Sequence, residues 1–273
     1  DASDYILFYA TGPDEVKAGA SDFIASKNKI DSLSYYFIHI DASDSPKRIG
    51  STSNSVSSVT HSVNTCNDFY LHELNEVNLL KSGDGWLGEH FDIELSKSFN
   101  ADLGSVVSGT DITMKTALGS DVVSGTGSLQ IMVNGVQRDL IACPQLFGSY
   151  VEAKWTTSTT TFQSNTAVLN FVLNFSRSSA ASQAWLDYIL LNYQRNLSVG
   201  SKQFLIRNLS SVGAGNTCQY SVSGASSALQ IWEVTDPSNA SKISGSLSGS
   251  TFTFSQNSDS LRTFVCSTIS QAY

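Results

Sequence analysis

The dipeptide Asn134-Gly135 lies between Ile131-Met132-Val133 and Val136, and no other local feature limits the fold as much. A two-residue type I′ turn needs positive φ at both central positions, which Asn and Gly adopt at least cost, so the flanking apolar runs are expected to pair as an antiparallel hairpin. Further strands are expected at Val106-Val107, Ile112 to Ala117, Ala167 to Phe175, Gln203 to Leu209, Cys218 to Val222, Leu229 to Val234, Thr251 to Phe254 and Leu261 to Thr268. Strands do not alternate with helical patterns of about 10–15 residues, which disfavours a parallel α/β sheet. One short helix is expected, Asp14 to Ala25, with Pro13 near its start and Gly19 weakening it. The chain therefore reads as all-β.

Its 273 residues are enough for a sizeable core, and 41% apolar against 15% charged residues, with much Ser, Thr, Gly and Asn, fits a folded secreted β-protein. The net charge of −8 excludes nucleic acid and anionic membrane as natural partners, since a phosphate binder needs clustered Lys and Arg. No run approaches the roughly 20 apolar residues of a spanning helix; Val168 to Phe175 is interrupted by Asn170 and Asn174. The chain starts at Asp1-Ala2-Ser3 without Met and stops at Ala272-Tyr273. It is therefore expected to be a segment of a longer exported protein.

In Asn78-Leu79-Leu80-Lys81-Ser82-Gly83-Asp84-Gly85-Trp86-Leu87-Gly88-Glu89, the glycines permit a tight turn that sets Trp86 onto a new strand, in which Phe91, Ile93 and Leu95 alternate at period two. Trp185-Leu186-Asp187-Tyr188-Ile189-Leu190-Leu191-Asn192-Tyr193 reads as a strand with large residues on both faces. Strict alternation would put Leu186, Tyr188 and Leu190 in the core, with Trp185 and Asp187 opposite. Near the start stand Asp4-Tyr5-Ile6-Leu7-Phe8-Tyr9-Ala10-Thr11-Gly12-Pro13 and Ser34-Tyr35-Tyr36-Phe37-Ile38; later come Phe69-Tyr70-Leu71-His72-Glu73 and Ile231-Trp232-Glu233-Val234-Thr235-Asp236-Pro237.

In this order, these segments resemble the β-rich region upstream of the catalytic domain in PorU-type proteins, the gingipain-family cysteine peptidases that act as type IX secretion sortases. The chain departs from that pattern at Ile30, Asp84-Gly85 and Glu233, where the family often has Tyr, Arg-Glu and Asp. Residues 82–197 are also similar to jelly-roll, galactose-binding-like β-sandwich modules, whose closing strand often carries a pattern like Leu186-Asp187-Tyr188-Ile189. Strands expected at Tyr5 to Tyr9 and Tyr35 to Ile40 have no obvious partners there, and Leu229 to Val234 with Leu261 to Cys266 need a sheet of their own, so an N-terminal β flank (1–81) and a C-terminal β flank (198–273) are expected to form a second small β-unit. The resemblance to PorU-type proteins implies export to the periplasm or cell surface of a Bacteroidota cell. The implied role is non-catalytic scaffolding or substrate presentation for a downstream peptidase domain of the same parent chain, with secreted proteins as further partners.

The residues themselves leave little chemistry. Cys66, Cys143, Cys218 and Cys266 lack zinc-knuckle spacing; if a disulfide forms, Cys218 with Cys266 is the first pair to consider, although Cys143 and Cys266 sit in apolar strand contexts. A thiol dyad would pair Cys66 with His61 or His72, but no Gly-rich nucleophile turn surrounds Cys66. Glu73, Glu76, Glu89, Asp92 and Glu94 gather around Trp86 in sequence, as glycosidase carboxylates flank an aromatic platform, yet a half-solvated sheet places carboxylates the same way. Asp187 is expected to be a buried or edge structural residue. Asp41-Ala42-Ser43-Asp44 lacks ordered calcium-ligand spacing. No catalytic residue, cofactor or metal is expected. Trp86, Tyr150 and Trp155 are the candidate stacking surface for a sugar or partner. The alternatives to a peptidase-associated scaffold are thus a carbohydrate-binding module and a self-sufficient peptidase.

Overall fold

A computed structural model describes residues 6–39, 43, 48–53, 58–147 and 152–271. In chain order the strands are β1 (Glu15–Ala18), β2 (Phe23–Ser26), β3 (Gly50–Thr52), β4 (His61–Val63), β5 (Thr65–Glu73), β6 (Val77–Asn78), β7 (Trp86–Leu87), β8 (His90–Phe91), β9 (Ser96–Asp102), β10 (Asp111–Asp121) and β11 (Gly127–Val133). There follow β12 (Val136–Cys143), β13 (Lys154–Gln163), β14 (Val168–Arg177), β15 (Gln183–Asn196), β16 (Phe204–Ile206), β17 (Thr217–Ser223), β18 (Leu229–Glu233), β19 (Ser241–Ile243), β20 (Ser246–Ser248), β21 (Thr251–Asn257) and β22 (Phe264–Thr268). Two short 3-10 turns, Pro237–Asn239 and Ile269–Gln271, are the helical segments among the described residues.

The all-β expectation holds, and the strands stack as sandwiches. In the first, the antiparallel sheet β13-β10-β15-β5, with β8 beside β15, faces the sheet β12-β11-β14-β9. Alternate residues of each sheet meet between them: Ile112, Met114 and Leu118 from one, Leu129, Ile131, Phe171 and Leu173 from the other, all fully buried. The pairing of β5 with β15 carries this sheet N-terminal of residue 82. In the second, β16-β22-β18-β19-β3 faces β20-β21-β17-β4. Its core centres on Tyr220, Phe254 and Phe264, whose rings pack at 4.9 to 5.3 Å. Residues from both ends of the chain build it, because β4 pairs with β17 and β3 with β19, both in parallel.

The Asn134-Gly135 turn forms as the sequence predicts, with φ of 51° and 77° and Val133 opposite Val136. A side chain at Gly135 would meet nothing within 4 Å, so only backbone strain opposes substitution. Gly135→Val is expected to lower stability by about 1–3 kcal/mol, read as a fall in the urea midpoint with unchanged slope; an unaltered midpoint would contradict the turn.

Four expectations are corrected. Asp14 to Ala25 is not helical: β1 and β2 form a hairpin, whose turn Gly19 closes by donating to Asp22 O. Tertiary burial outweighs local propensity here, since Phe23 is buried against the first sandwich and exchanges two hydrogen bonds with the Asn192 side chain, at 2.6 and 3.0 Å. Ile93 does not continue the alternation from Phe91: the chain bends after β8 and Ile93 points to solvent. Of Tyr5 to Tyr9 and Tyr35 to Ile40, the described residues join no strand, and Val106 makes only an isolated bridge to Arg195.

The fourth correction concerns β15. It is a strand throughout, but Ala117 lies opposite Tyr188 and Leu118 opposite Leu186, so Asp187 is an inserted bulge residue. The bulge resets the alternation. Leu186, Ile189, Leu191 and Tyr193 enter the sandwich core, whereas Tyr188 does not and Leu190 is buried outside that core.

Candidate functional site

Of the proposed aromatic surface, Tyr150 lies outside the described residues. Trp155, second on the edge strand β13, lies opposite Gly119, and its ring lies against Gly85, where a β-carbon would sit 3.8 Å from Cζ2. Trp86 follows Gly85 on β7 and is half-buried, while Trp155 stays 49% exposed. The structure thus brings the two indoles to one neighbourhood. Behind them, Leu87, Ala153 and Trp185 form a small separate cluster, with the His90 ring stacked on Trp185 at 4.8 Å. Trp185 was expected to pack less than Tyr188, and sequence gave no sign of this cluster, which depends on a distant loop folding over β15.

The carboxylates do not converge. Glu73 accepts from Lys27 N and Asn75, Glu89 pairs with His72 at 2.5 Å, Asp92 with Arg177 at 3.3 Å, and Glu94 with Lys97. These four are engaged separately and Glu76 is exposed, so no two of the five flank a common site as a glycosidase pair would.

A thiol nucleophile is equally unsupported. All four cysteines are unbonded and buried, which sets aside the Cys218–Cys266 pairing. Burial, together with the nearby negative charge of Asp68, pushes the Cys66 thiol up to about 12; burial pushes Cys143 to about 11 and Cys266 to about 12. A reactive cysteine needs the opposite shift. The two histidines considered for Cys66 are engaged with other residues, His61 with Thr60 and His72 with Glu89 and the stacked ring of Phe99. Ellman titration of the native chain should register no fast thiol, and four once guanidinium unfolds it; one fast native thiol would refute the burial argument.

Around Cys66 lies the most elaborate polar cluster, between the two sandwiches. Asp68 accepts from Arg195 and Tyr193, both at 3.3 Å, and from Phe69 N at 2.9 Å, with Arg207 at 3.8 Å. The Arg207 guanidinium lies over Phe23 and Phe69, that of Arg195 over Phe204. Burial raises the Asp68 carboxyl against the pull of both arginines, and lowers Arg207. These residues join β5, β15, β16 and the N-terminal hairpin, so their chemistry is that of a structural clamp.

Asp187, in its bulge, is a second perturbed carboxyl. Burial raises it to about 6, Glu73 adds to the rise, and Lys29 opposes it. Because the folded value exceeds the unfolded one, the contribution to stability is complete below about pH 4 and is lost as pH rises through about 6. Asp187→Asn should remove this loss, gaining on the order of 1–2 kcal/mol at pH 8 after allowance for partial exposure and nothing at pH 4. Equal gains at both pH values would exclude the titration.

A groove of about 500 Å³ lies on the outer side of β16-β22-β18, where Leu205, Trp232 and Val265 face Leu7, Phe8 and Tyr9 of the N-terminal segment. Among the described residues no helix is long and apolar enough to cross a membrane.

These features describe an all-β sandwich assembly with a buried polar clamp, an aromatic neighbourhood at Trp86 and Trp155, and an apolar groove on β16-β22-β18. No protein-family model matches the chain, and no curated protein matches it. Among solved structures it shares the fold of a β-rich region of dimeric latent PorU from Porphyromonas gingivalis, with a TM-score of 0.80 and 20% identity, over 97% of this chain and 26% of that one. The chain thus spans about a quarter of that protein's length, and at this identity the likeness is one of fold. Two weaker likenesses carry no argument. One is a carbohydrate-binding module, CBM36, in complex with calcium and xylotriose, with a TM-score of 0.28 and 11% identity over 47% of this chain and 99% of that one. The other is the insecticidal delta-endotoxin Cry8Ea1 of Bacillus thuringiensis, with a TM-score of 0.27 and 18% identity over 35% of this chain and 18% of that one.

Proposed function

We propose that this chain is the non-catalytic β-region of an exported, gingipain-like cysteine peptidase of the type IX sortase kind, and that it scaffolds or presents substrate to a peptidase domain outside residues 1–273. The observation that carries this reading is the PorU-like fold over nearly the whole chain, joined to the six ordered sequence segments. The inert thiols and the absence, among the described residues, of a strand-helix catalytic unit support the division of labour. Envelope or cell-surface localisation belongs to the same proposal.

The isolated chain should cleave no member of a peptide library. Reproducible cleavage that disappears in Cys66→Ser would overturn the reading and make the chain a peptidase in its own right. The half-exposed Trp155 beside Gly85 favours carbohydrate binding as a second reading. Quenching of its fluorescence by an oligosaccharide, abolished in Trp155→Ala, would support that reading.

A further inference from the structure

A pocket of about 340 Å³ opens in the second sandwich beside β3. It continues the inward faces of both sheets: Glu233 follows the buried Leu229 and Ile231 at alternate positions of β18, and Gln256 follows the buried Phe254 on β21. Arg262, from the segment before β22, and Arg48, two residues before β3, supply its cations. Thr52 of β3 and Ser241 of β19 share a hydroxyl hydrogen bond of 2.7 Å in its lining.

The charged groups of this pocket do not satisfy one another. Arg262 Nη1 stands 3.7 Å from Glu233 Oε1, beyond hydrogen-bonding range. Arg262 Nε and Glu233 Oε1 are both buried without a hydrogen-bond partner among the described residues, an arrangement that costs free energy until a partner arrives. A ligand that satisfies both carries an acceptor for the guanidinium and a donor for the carboxylate.

Charge narrows the choice. Two arginines against one glutamate leave one positive charge in excess, in a chain whose net charge is −8. A single carboxylate fits that excess and matches the planar guanidinium fork with two parallel bonds. A divalent oxyanion without a donor would instead face the Glu233 carboxylate as a like charge. An acid with its donor on the adjacent carbon holds the two groups close enough to meet protein atoms 3.7 Å apart side by side. The pocket's volume is that of a small-molecule site.

We propose that this pocket binds a carboxylate bearing an N–H or O–H donor on its α-carbon, as in a free amino or hydroxy acid or the C-terminus of a peptide. Arg262 and Arg48 hold the carboxylate, and Glu233 Oε1 accepts from the donor. The site is separate from the scaffolding role and does not rest on it.

Heteronuclear NMR of the full chain, following the Arg262 Nε–H resonance, tests the site with L-alanine, L-lactate and acetyl-Ala-Ala, each beside its C-terminal amide. At least one acid should shift the resonance with a Kd of about 1 mM or tighter, whereas the amides and sulfate should not. Shifts from alanine or lactate alone would identify free acids as the ligands, and shifts from the peptide a chain terminus. Arg48→Met, at an exposed position, should weaken binding about tenfold with the fold intact. Glu233→Gln should erase the preference for alanine over acetate. No acid bound up to about 20 mM, amides or sulfate bound as well as the acids, an unchanged affinity in Arg48→Met, or an unchanged preference in Glu233→Gln would each overturn the proposal.

Discussion

Replacing Asp68 with alanine is expected to cost about 3–5 kcal/mol, the range seen when one partner of a buried ion pair is removed. The loss would come mainly from what remains. Arg195 and Arg207, with side chains 12% and 8% exposed, would keep their charges without the carboxylate between them. Each already has a buried Nε with no partner, so both guanidinium groups are short of acceptors even before the carboxylate is removed. The same carboxylate receives Tyr193 from the first sandwich, whose hydroxyl also donates to Leu103 O at 3.0 Å. Asp68→Asn keeps the shape and one acceptor and should cost less. Guanidinium unfolding followed by tryptophan fluorescence would measure both variants, and a midpoint unchanged in Asp68→Ala would show that the cluster contributes no net stability.

Phe254→Ala should be comparably damaging, at about 3–5 kcal/mol. Phe254 is fully buried on β21, stacks on Tyr220 at 4.9 Å and meets Phe264 edge-on at 5.1 Å. The cavity would open at the centre of the second sandwich, where β17, β21 and β22 approach one another, and stiff strand backbones collapse poorly into such a hole. Phe252, two residues earlier on the same strand, is only partly buried at the margin of that core. Phe252→Ala should therefore cost less, and equal losses at the two positions would refute the packing argument.

What the sequence revealed depended on whether the deciding force was local. The Asn134-Gly135 turn was legible because its φ requirement is met within two residues. So were β10, β14 and β17, whose apolar patterns carry their own periodicity. The bulge at Asp187 was not legible, since an inserted residue leaves no mark on the strand that carries it and shows only against the partner register. Nor was the hairpin at residues 15–26, where Phe23 is held by Asn192, 169 positions away. At the candidate site, the aromatic identities of Trp86 and Trp155 could be read directly. Their closeness through Gly85 could not, and neither could the clamp around Asp68, whose arginines lie on β15 and just after β16.

The parallel pairings of β3 with β19 and of β4 with β17 have a consequence for how this chain is made. His61 pairs with Cys218, and Gly50 with Ser241, so the partners are separated by some 160 to 190 residues. At roughly 5–20 residues per second of synthesis, β3 and β4 wait on the order of ten to forty seconds before their mates exist. The first sandwich can close around β5 and β15 in the meantime, leaving β3 and β4 unpaired at its edge. The second unit should then fold late and all at once, and a nascent chain cut short before β19 should hold one finished layer pair joined to an unfolded tail that proteases trim first.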